Sequence, residues 1–224
     1  MRIGSDPWCE LIAAGSTDLG IAISTGQIMQ FARHAELLVA WNHKINLTAI
    51  TEPEQIAIKH YLDVLAALPH IPEDVELLDI GTGGGFPGIP LKIMRPSQPM
   101  ILIDSIRKKI SFIKEVIRSL TLDRIQAIHI RAEELAQQDA QRNRYGVVIS
   151  RAVAHLPAIV RIAEPLLAPD GRIIALKGPK SGSASSQGPS EHYPAGPRFR
   201  CDGFDYRLPV SGASRTLIVI THQS

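Results

Sequence analysis

The chain has 224 residues, 45% of them hydrophobic and 21% charged, with 24 Lys and Arg against 22 Asp and Glu for a formal net charge of +2. That length suits one large domain or a domain with a modest extension, and the balance excludes a disordered polymer, a fibre and a polybasic nucleic-acid coat, while a local basic face stays compatible with the sum. Cys9 and Cys201 stand far apart and in no C-x-x-C or His-rich cluster, so neither a disulfide framework nor a metal site is expected. The first fifteen residues carry acids and a proline where a signal peptide needs an apolar run, and no segment has the length of a membrane helix. A cytoplasmic protein without membrane contact is the expectation.

The first third reads as helical. From Gln27 to Trp41 the residues Ile28, Phe31, Ala32, Ala35, Leu38 and Val39 recur at spacings of three and four, the period of one helical face. Thr51, Pro53 and Glu54 resemble a capping box that opens a second helix at Glu54, continued by Ile56, Tyr61, Leu62 and Leu65. From Glu76 the period changes. Short apolar runs at Leu77 to Ile80, Met100 to Ile103, Ile125 to Ile130, Val147 to Ile149 and Arg172 to Leu176 alternate with helical patterns, notably Ile106 to Leu120 and His155 to Leu167. This alternation predicts βαβ units and a mostly parallel sheet covered on both faces. Pro179 to Pro197 reads as a loop, and Phe204 to Val210 with Arg215 to Thr221 as an antiparallel hairpin turning at Ser211 to Ser214. Residues 1–75 are thus expected to form an N-terminal helical extension and residues 76–224 a Rossmann-like α/β domain, together one compact unit.

The most informative stretch runs from Leu77 to Pro90, where an apolar strand meets Gly81, Gly83, Gly84, Gly85 and Gly88. A phosphate loop counted from Gly83 reaches Gly88, but Ile89 and Pro90 stand where Lys and Ser or Thr are needed. A dinucleotide fingerprint counted from Gly81 meets Phe86 in place of its third glycine, which makes a nicotinamide cofactor less fitting without excluding it. What remains is G-x-G-x-G, with Asp104 closing the next strand where an acid faces ribose hydroxyls. A nucleoside without a pyrophosphate fits, and S-adenosylmethionine is one. The competing reading makes the glycines a tight turn and Asp104 a helix cap.

Asn46-Leu47-Thr48, His60 with Asp63, the Asp79 to Leu91 loop, Asp104-Ser105, Ser150-Arg151-Ala152 and Leu176-Lys177-Gly178 stand in an order that resembles the bacterial ribosomal RNA small-subunit methyltransferase G family. The resemblance runs from about Trp41 to Gly178 and resumes at Arg215 to Ile220, departing at Val64, where Ser is usual, and over Pro179 to Pro197. It implies a class I S-adenosylmethionine-dependent methyltransferase that modifies N7 of one guanine in small-subunit (16S) ribosomal RNA. It also implies donor contacts from Gly81, Phe86, Ala132, Glu133 and Arg151. Asp104 joins them on the ribose argument, with Gly83 and Gly85 as the remaining glycines of the pattern.

Guanine N7 carries a free lone pair, so methylation there demands no general base, and alignment of the reactants can supply roughly 7–11 kcal/mol. Arg151, Lys177 and Arg215 are expected to place an RNA phosphate or guanine O6, which Arg reads well. Arg151 could equally form an ion pair with Glu133 or Asp104. His60 and Asp63 lie one turn apart and could pair, or could anchor their helix to the sheet. Phe86 could floor the donor pocket or belong to the core; Arg107, Lys108 and Lys109 could meet phosphate or form a solvated helix face; Trp41 and Tyr61 fall on amphipathic patterns and are expected in the core. The expected partner is small-subunit ribosomal RNA or its particle; the oligomeric state is open, with a monomer favoured. The rival readings are a methyltransferase for another substrate and a non-catalytic RNA-binding protein on the same fold.

Overall fold

The computed structural model describes residues 1–151, 156–177 and 198–223. The expected loop at Pro179 to Pro197 lies outside them, as do Ala152, His155 and Gly178. Seven strands form one sheet in the order β3-β2-β1-β4-β5-β7-β6. β1 (Leu77–Ile80), β2 (Met100–Asp104), β3 (Ile125–His129), β4 (Tyr145–Arg151) and β5 (Leu167–Lys177) are parallel, while β7 (Ser214–His222) runs antiparallel between β5 and β6 (Phe199–Arg207). The strand order reverses between β1 and β4, so the carboxyl ends of those strands flank the crevice where open α/β sheets bind ligands.

Every residue of β1 and β2 is buried, as expected of strands covered on both faces. One face carries Leu77, Leu102, Val147, Ile149, Leu176 and Leu217 and packs on the N-terminal helices α1 (Asp6–Asp18) and α2 (Thr25–Ile45), with α5 (Gly88–Met94) and α6 (Arg107–Ser119). The other carries Leu78, Ile103, Val148, Ala175 and Ile218 beneath α7 (Ala132–Ala136) and α8 (Leu156–Ala163). The first core runs without a break from Trp8 to Val219. Burying a side chain such as Phe31 or Leu38 of α2 contributes roughly 1.5–3 kcal/mol. Among the described residues no helix is long and apolar enough to cross a membrane.

The N-terminal elements depart from expectation in detail. α1 was hidden in the sequence by Pro7 and Gly15; a side chain at Gly15 would overlap Leu62, so this glycine lets two helices approach closely. The capping box stands on α2, where Ser24 Oγ accepts from the Gln27 N–H and Gln27 Oε1 from the Ser24 N–H. The second helix begins a residue early at α3 (Pro53–Ile56) behind Glu52, with no side-chain cap, so Thr51 and Glu54 form no box. It passes through a π turn, Ala57–Leu62, before α4 (Asp63–Leu65). In the C-terminal hairpin the strands are longer than predicted and the turn begins earlier, spanning 208–213, because Val210 is 63% exposed and adopts φ 65°. Arg200, Cys201, Asp202 and Gly203 gave little apolar signal for the first half of β6.

Candidate active site

A cleft of about 370 Å³ opens at the carboxyl ends of β1, β2 and β3, within the usual size of small-molecule sites. Ile80 and Gly81 line it from β1, Ile103 to Ile106 with Lys109 from β2 and α6, and Ile130 to Glu133 from the segment after β3. A hollow of about 440 Å³ at the opposite end of the strands, against Glu73, Asp74, Arg95 and Gln98, is larger but lies away from the glycine loop and from the ligand-binding edge of such sheets.

The loop is fastened at each end. The N–H groups of Gly81 and Thr82 both donate to Ile103 O, and those of Gly85 and Phe86 to Thr82 O. Gly81 adopts φ 73°, and a side chain there would meet nothing within 4 Å, so its open side borders the cleft it lines. Gly83 and Gly85 also have positive φ. At the far end Asp79 Oδ2 accepts from the Gly88 N–H at 3.0 Å; burial pushes the Asp79 carboxyl up to about 7. Asp104 accepts from the Gly83 N–H at 3.0 Å through Oδ2 and from the Ile106 N–H at 2.9 Å through Oδ1, with Lys109 Nζ at 3.9 Å. Each carboxylate oxygen keeps a further lone pair for a ligand hydroxyl. Open glycine, rim carboxylate and apolar Ile106 and Ile130 together fit a nucleoside ligand such as S-adenosylmethionine.

Beside the cleft, at the ends of β4 and β5 and the start of β7, the same sheet edge carries a buried ionic cluster. Arg151 Nη1 donates to His60 Nδ1 at 2.7 Å and Nη2 to Lys59 O at 2.6 Å. The π turn provides that carbonyl: the Asp63 N–H bonds to Ile58 O and His60 O, leaving Lys59 O to the arginine. Asp63 sits between two guanidinium groups, Arg215 Nε at 3.5 Å and Arg151 Nη2 at 3.8 Å, and Oδ1 accepts from the Tyr206 hydroxyl at 2.7 Å. Burial raises the Asp63 carboxyl while Arg151 pulls it back. His60 stacks on Phe86 with ring centroids 4.4 Å apart, and the Arg151 guanidinium lies 5.8 Å from the Phe86 centroid. An arginine only donates, so His60 Nδ1 accepts and Nε2–H donates to Thr48 Oγ1 at 3.0 Å. Burial, with Arg151 adding to it, lowers His60 to about 3, which keeps the ring neutral.

Of the residues singled out from the sequence, Gly81, Asp104, Ala132 and Glu133 lie on the cleft, and Gly83 and Gly85 shape its loop. Phe86 and Arg151 stand together in the neighbouring cluster with Arg215. Lys177 does not join them: it pairs in register with Thr216, one step from the inward-facing Leu176 and Leu217, so strand alternation turns it to the opposite sheet face. The ion-pair partner of Arg151 is Asp63, not Glu133 or Asp104. His60 and Asp63 do not bond to each other; both meet Arg151. Tyr61 is wholly buried, Trp41 packs on Phe112, and Arg107 and Lys108 are solvated. Tyr206, and the lining residues Ile106, Ile130 and Arg131, were not foreseen; for the last three, their place just past the ends of β2 and β3 was the available signal.

Comparison with known proteins agrees with this geometry. A family described as rRNA small subunit methyltransferase G matches residues 27–191. The protein named ribosomal RNA small subunit methyltransferase G from Geobacter sp. strain M21 is 42% identical over 211 residues, covering 94% of this chain and 96% of that one. That from Desulfitobacterium hafniense strain Y51 is 47% identical over 160 residues, covering 71% of this chain and 66% of that one. Among solved structures, a SAM-dependent methyltransferase from Aquifex aeolicus superposes with a TM-score of 0.54 at 14% identity, covering 76% of this chain and 94% of that one. A mutant of MtNAS in complex with S-adenosylmethionine gives a TM-score of 0.54 at 15% identity, covering 96% and 78%. These two establish the fold, a Rossmann-like methyltransferase sheet with helices added at the N-terminus; the sequence relatives and the family match establish that the chain belongs to the ribosomal RNA small subunit methyltransferase G family.

Proposed function

We propose that this chain transfers the methyl group of S-adenosylmethionine to N7 of a guanine in small-subunit (16S) ribosomal RNA. The observation that carries the reading is the cleft itself, an open glycine and a rim carboxylate at the carboxyl ends of parallel strands beside the topological switch. Bound there, the donor supplies a methyl group on a sulfonium, which an uncharged nitrogen lone pair can accept without prior loss of a proton. Gly81, Ala132 and Glu133 border the donor, Asp104 binds its ribose hydroxyls, and Gly83 and Gly85 set the loop. Phe86 and Arg151 close the side toward the ionic cluster, and Arg151 and Arg215 orient the RNA, while Lys177 stands on the opposite sheet face. His60 is not a base, because both its ring nitrogens are committed.

The helical segment 1–75 and the sheet domain 76–224 act as one unit, a reading supported by their common core. The substrate class supports action in the cytoplasm. The test is methylation of small-subunit particles taken from cells lacking the gene, followed by mass mapping of the RNA. A single new methyl on guanine N7 is the expected product. Donor consumption without labelled RNA would point to another substrate, and RNA binding without donor binding to a non-catalytic protein.

A further inference from the structure

His34 lies in the middle of α2 with no exposed surface, among Phe31, Ala35 and Leu38. A histidine there is costly unless both ring nitrogens find partners. Nε2 lies 2.9 Å from the carbonyl oxygen of Gly84, and Nδ1 lies 3.0 Å from the Tyr61 hydroxyl. A carbonyl only accepts, so Nε2 carries the hydrogen, and Nδ1 of the neutral ring accepts from the Tyr61 O–H. Two hydrogen bonds therefore run in one direction from the π turn, through α2, into the glycine loop.

Asp104 holds this loop from the cleft side at the Gly83 N–H, and His34 holds it from the core side at the next residue's carbonyl. Around these anchors the backbone takes positive φ at Gly83 and again at Gly85, conformations that glycine visits freely. The packing is close: a side-chain carbon at Gly84 would come within 2.8 Å of Leu38, and one at Gly85 within 3.2 Å of His34 Nε2. Phe86 completes the contact, its ring centroid 5.0 Å from that of His34.

We propose that His34, oriented by Tyr61, is a positioning residue for methyl transfer: by holding the Gly84 carbonyl it sets the cleft-side edge of the loop before the donor arrives. Neither residue lines the cleft, so the effect passes through the loop backbone. The inference rests on the reading that this loop carries the donor.

The test compares wild type, His34→Leu, His34→Gln and Tyr61→Phe by calorimetric titration with S-adenosylmethionine and by steady-state methylation of small-subunit particles. Loss of preorganisation in His34→Leu is expected to raise the donor Kd and KM about tenfold, with the particle KM at saturating donor unchanged. His34→Gln, whose amide N–H donates to the same carbonyl, is expected within about threefold of wild type. Equal weakening in both, or wild-type affinity in His34→Leu, overturns the proposal. If His34→Leu does not fold, Tyr61→Phe carries the test: about threefold weaker donor binding, with loss of the single Nε2–H tautomer in nitrogen-15 spectra of the His34 ring, is expected. An unchanged Kd overturns it. A wild-type chain that fails to bind the donor overturns the reading of the loop instead.

Discussion

The two halves of the ligand-binding sheet edge solve opposite problems. Over β1 to β3 the strand ends stay open: Asp104 accepts only two backbone N–H groups and meets a distant Lys109, and Gly81 borders free space. Over β4, β5 and β7 the N-terminal helices close the edge, and Arg151, Arg215, Asp63, Tyr206 and His60 partner one another, Asp63, His60 and Arg215 buried and Arg151 and Tyr206 half-buried. The open half presents its carboxylate at a cleft; the closed half ties its charged groups to one another. One carboxylate nevertheless faces two guanidinium groups there, so a positive charge is left over beside the cleft.

The contrast breaks most easily at Asp63. Asp63→Ala removes the anion that Arg151 and Arg215 share, and a buried pair broken on one side costs about 3–5 kcal/mol. Urea denaturation should show this loss; a variant as stable as wild type would mean the arginines do not need that acid. In the open half, Gly81→Asn places a side chain in the cleft at a backbone conformation that Asn tolerates. Donor affinity should fall about a hundredfold, roughly 2.7 kcal/mol, in calorimetric titration while the melting temperature moves little. If the titration is unchanged, the donor lies elsewhere. Tyr206→Phe deletes the hydroxyl that donates to Asp63 and should cost about 1.5 kcal/mol in the same denaturation assay, with donor affinity preserved.

The last effect concerns protonation. Burial lowers His34 to about 4, so its ring is neutral in the fold and protonates in the unfolded chain as pH falls below 6.5. A depressed histidine contributes stability above its unfolded value and loses it as pH falls toward the folded one, at up to about 1.4 kcal/mol per pH unit. His60 acts in the same direction, while Asp79, pushed up by burial to about 7, works against both. His34→Gln isolates the first contribution: its stability gap to wild type should narrow between pH 6.5 and 4.5. A constant gap would show that the buried ring binds no fewer protons than the unfolded one.

The parallel half of the fold was legible because strands buried on both faces must read as short apolar runs, and Asp104 was legible because an acid ending such a run has a known geometric meaning. The glycines could be separated from phosphate and dinucleotide loops by what stands at Phe86, Ile89 and Pro90. The ionic cluster was less legible. Asp63 opens α4 directly after a π turn that a search for helical period treats as ordinary helix, and Tyr206 comes from a strand whose first half carries Arg200, Asp202 and Gly203. Lys177 was grouped with Arg151 and Arg215 by nearness to strand ends, although the apolar Leu176 beside it already indicated which face was turned inward.

The place of β7 between β5 and β6 has a consequence for how the protein is made. Tyr206 and Asp63 are separated by 143 residues, and Arg215 arrives later still, on the strand that slots into the gap. Synthesis runs from the N-terminus, so Asp63, His60 and Arg151 emerge and can meet well before the hairpin exists. Every residue that lines the cleft has been made once α7 has emerged, but the charge pattern beside it acquires its second arginine only when β7 is made.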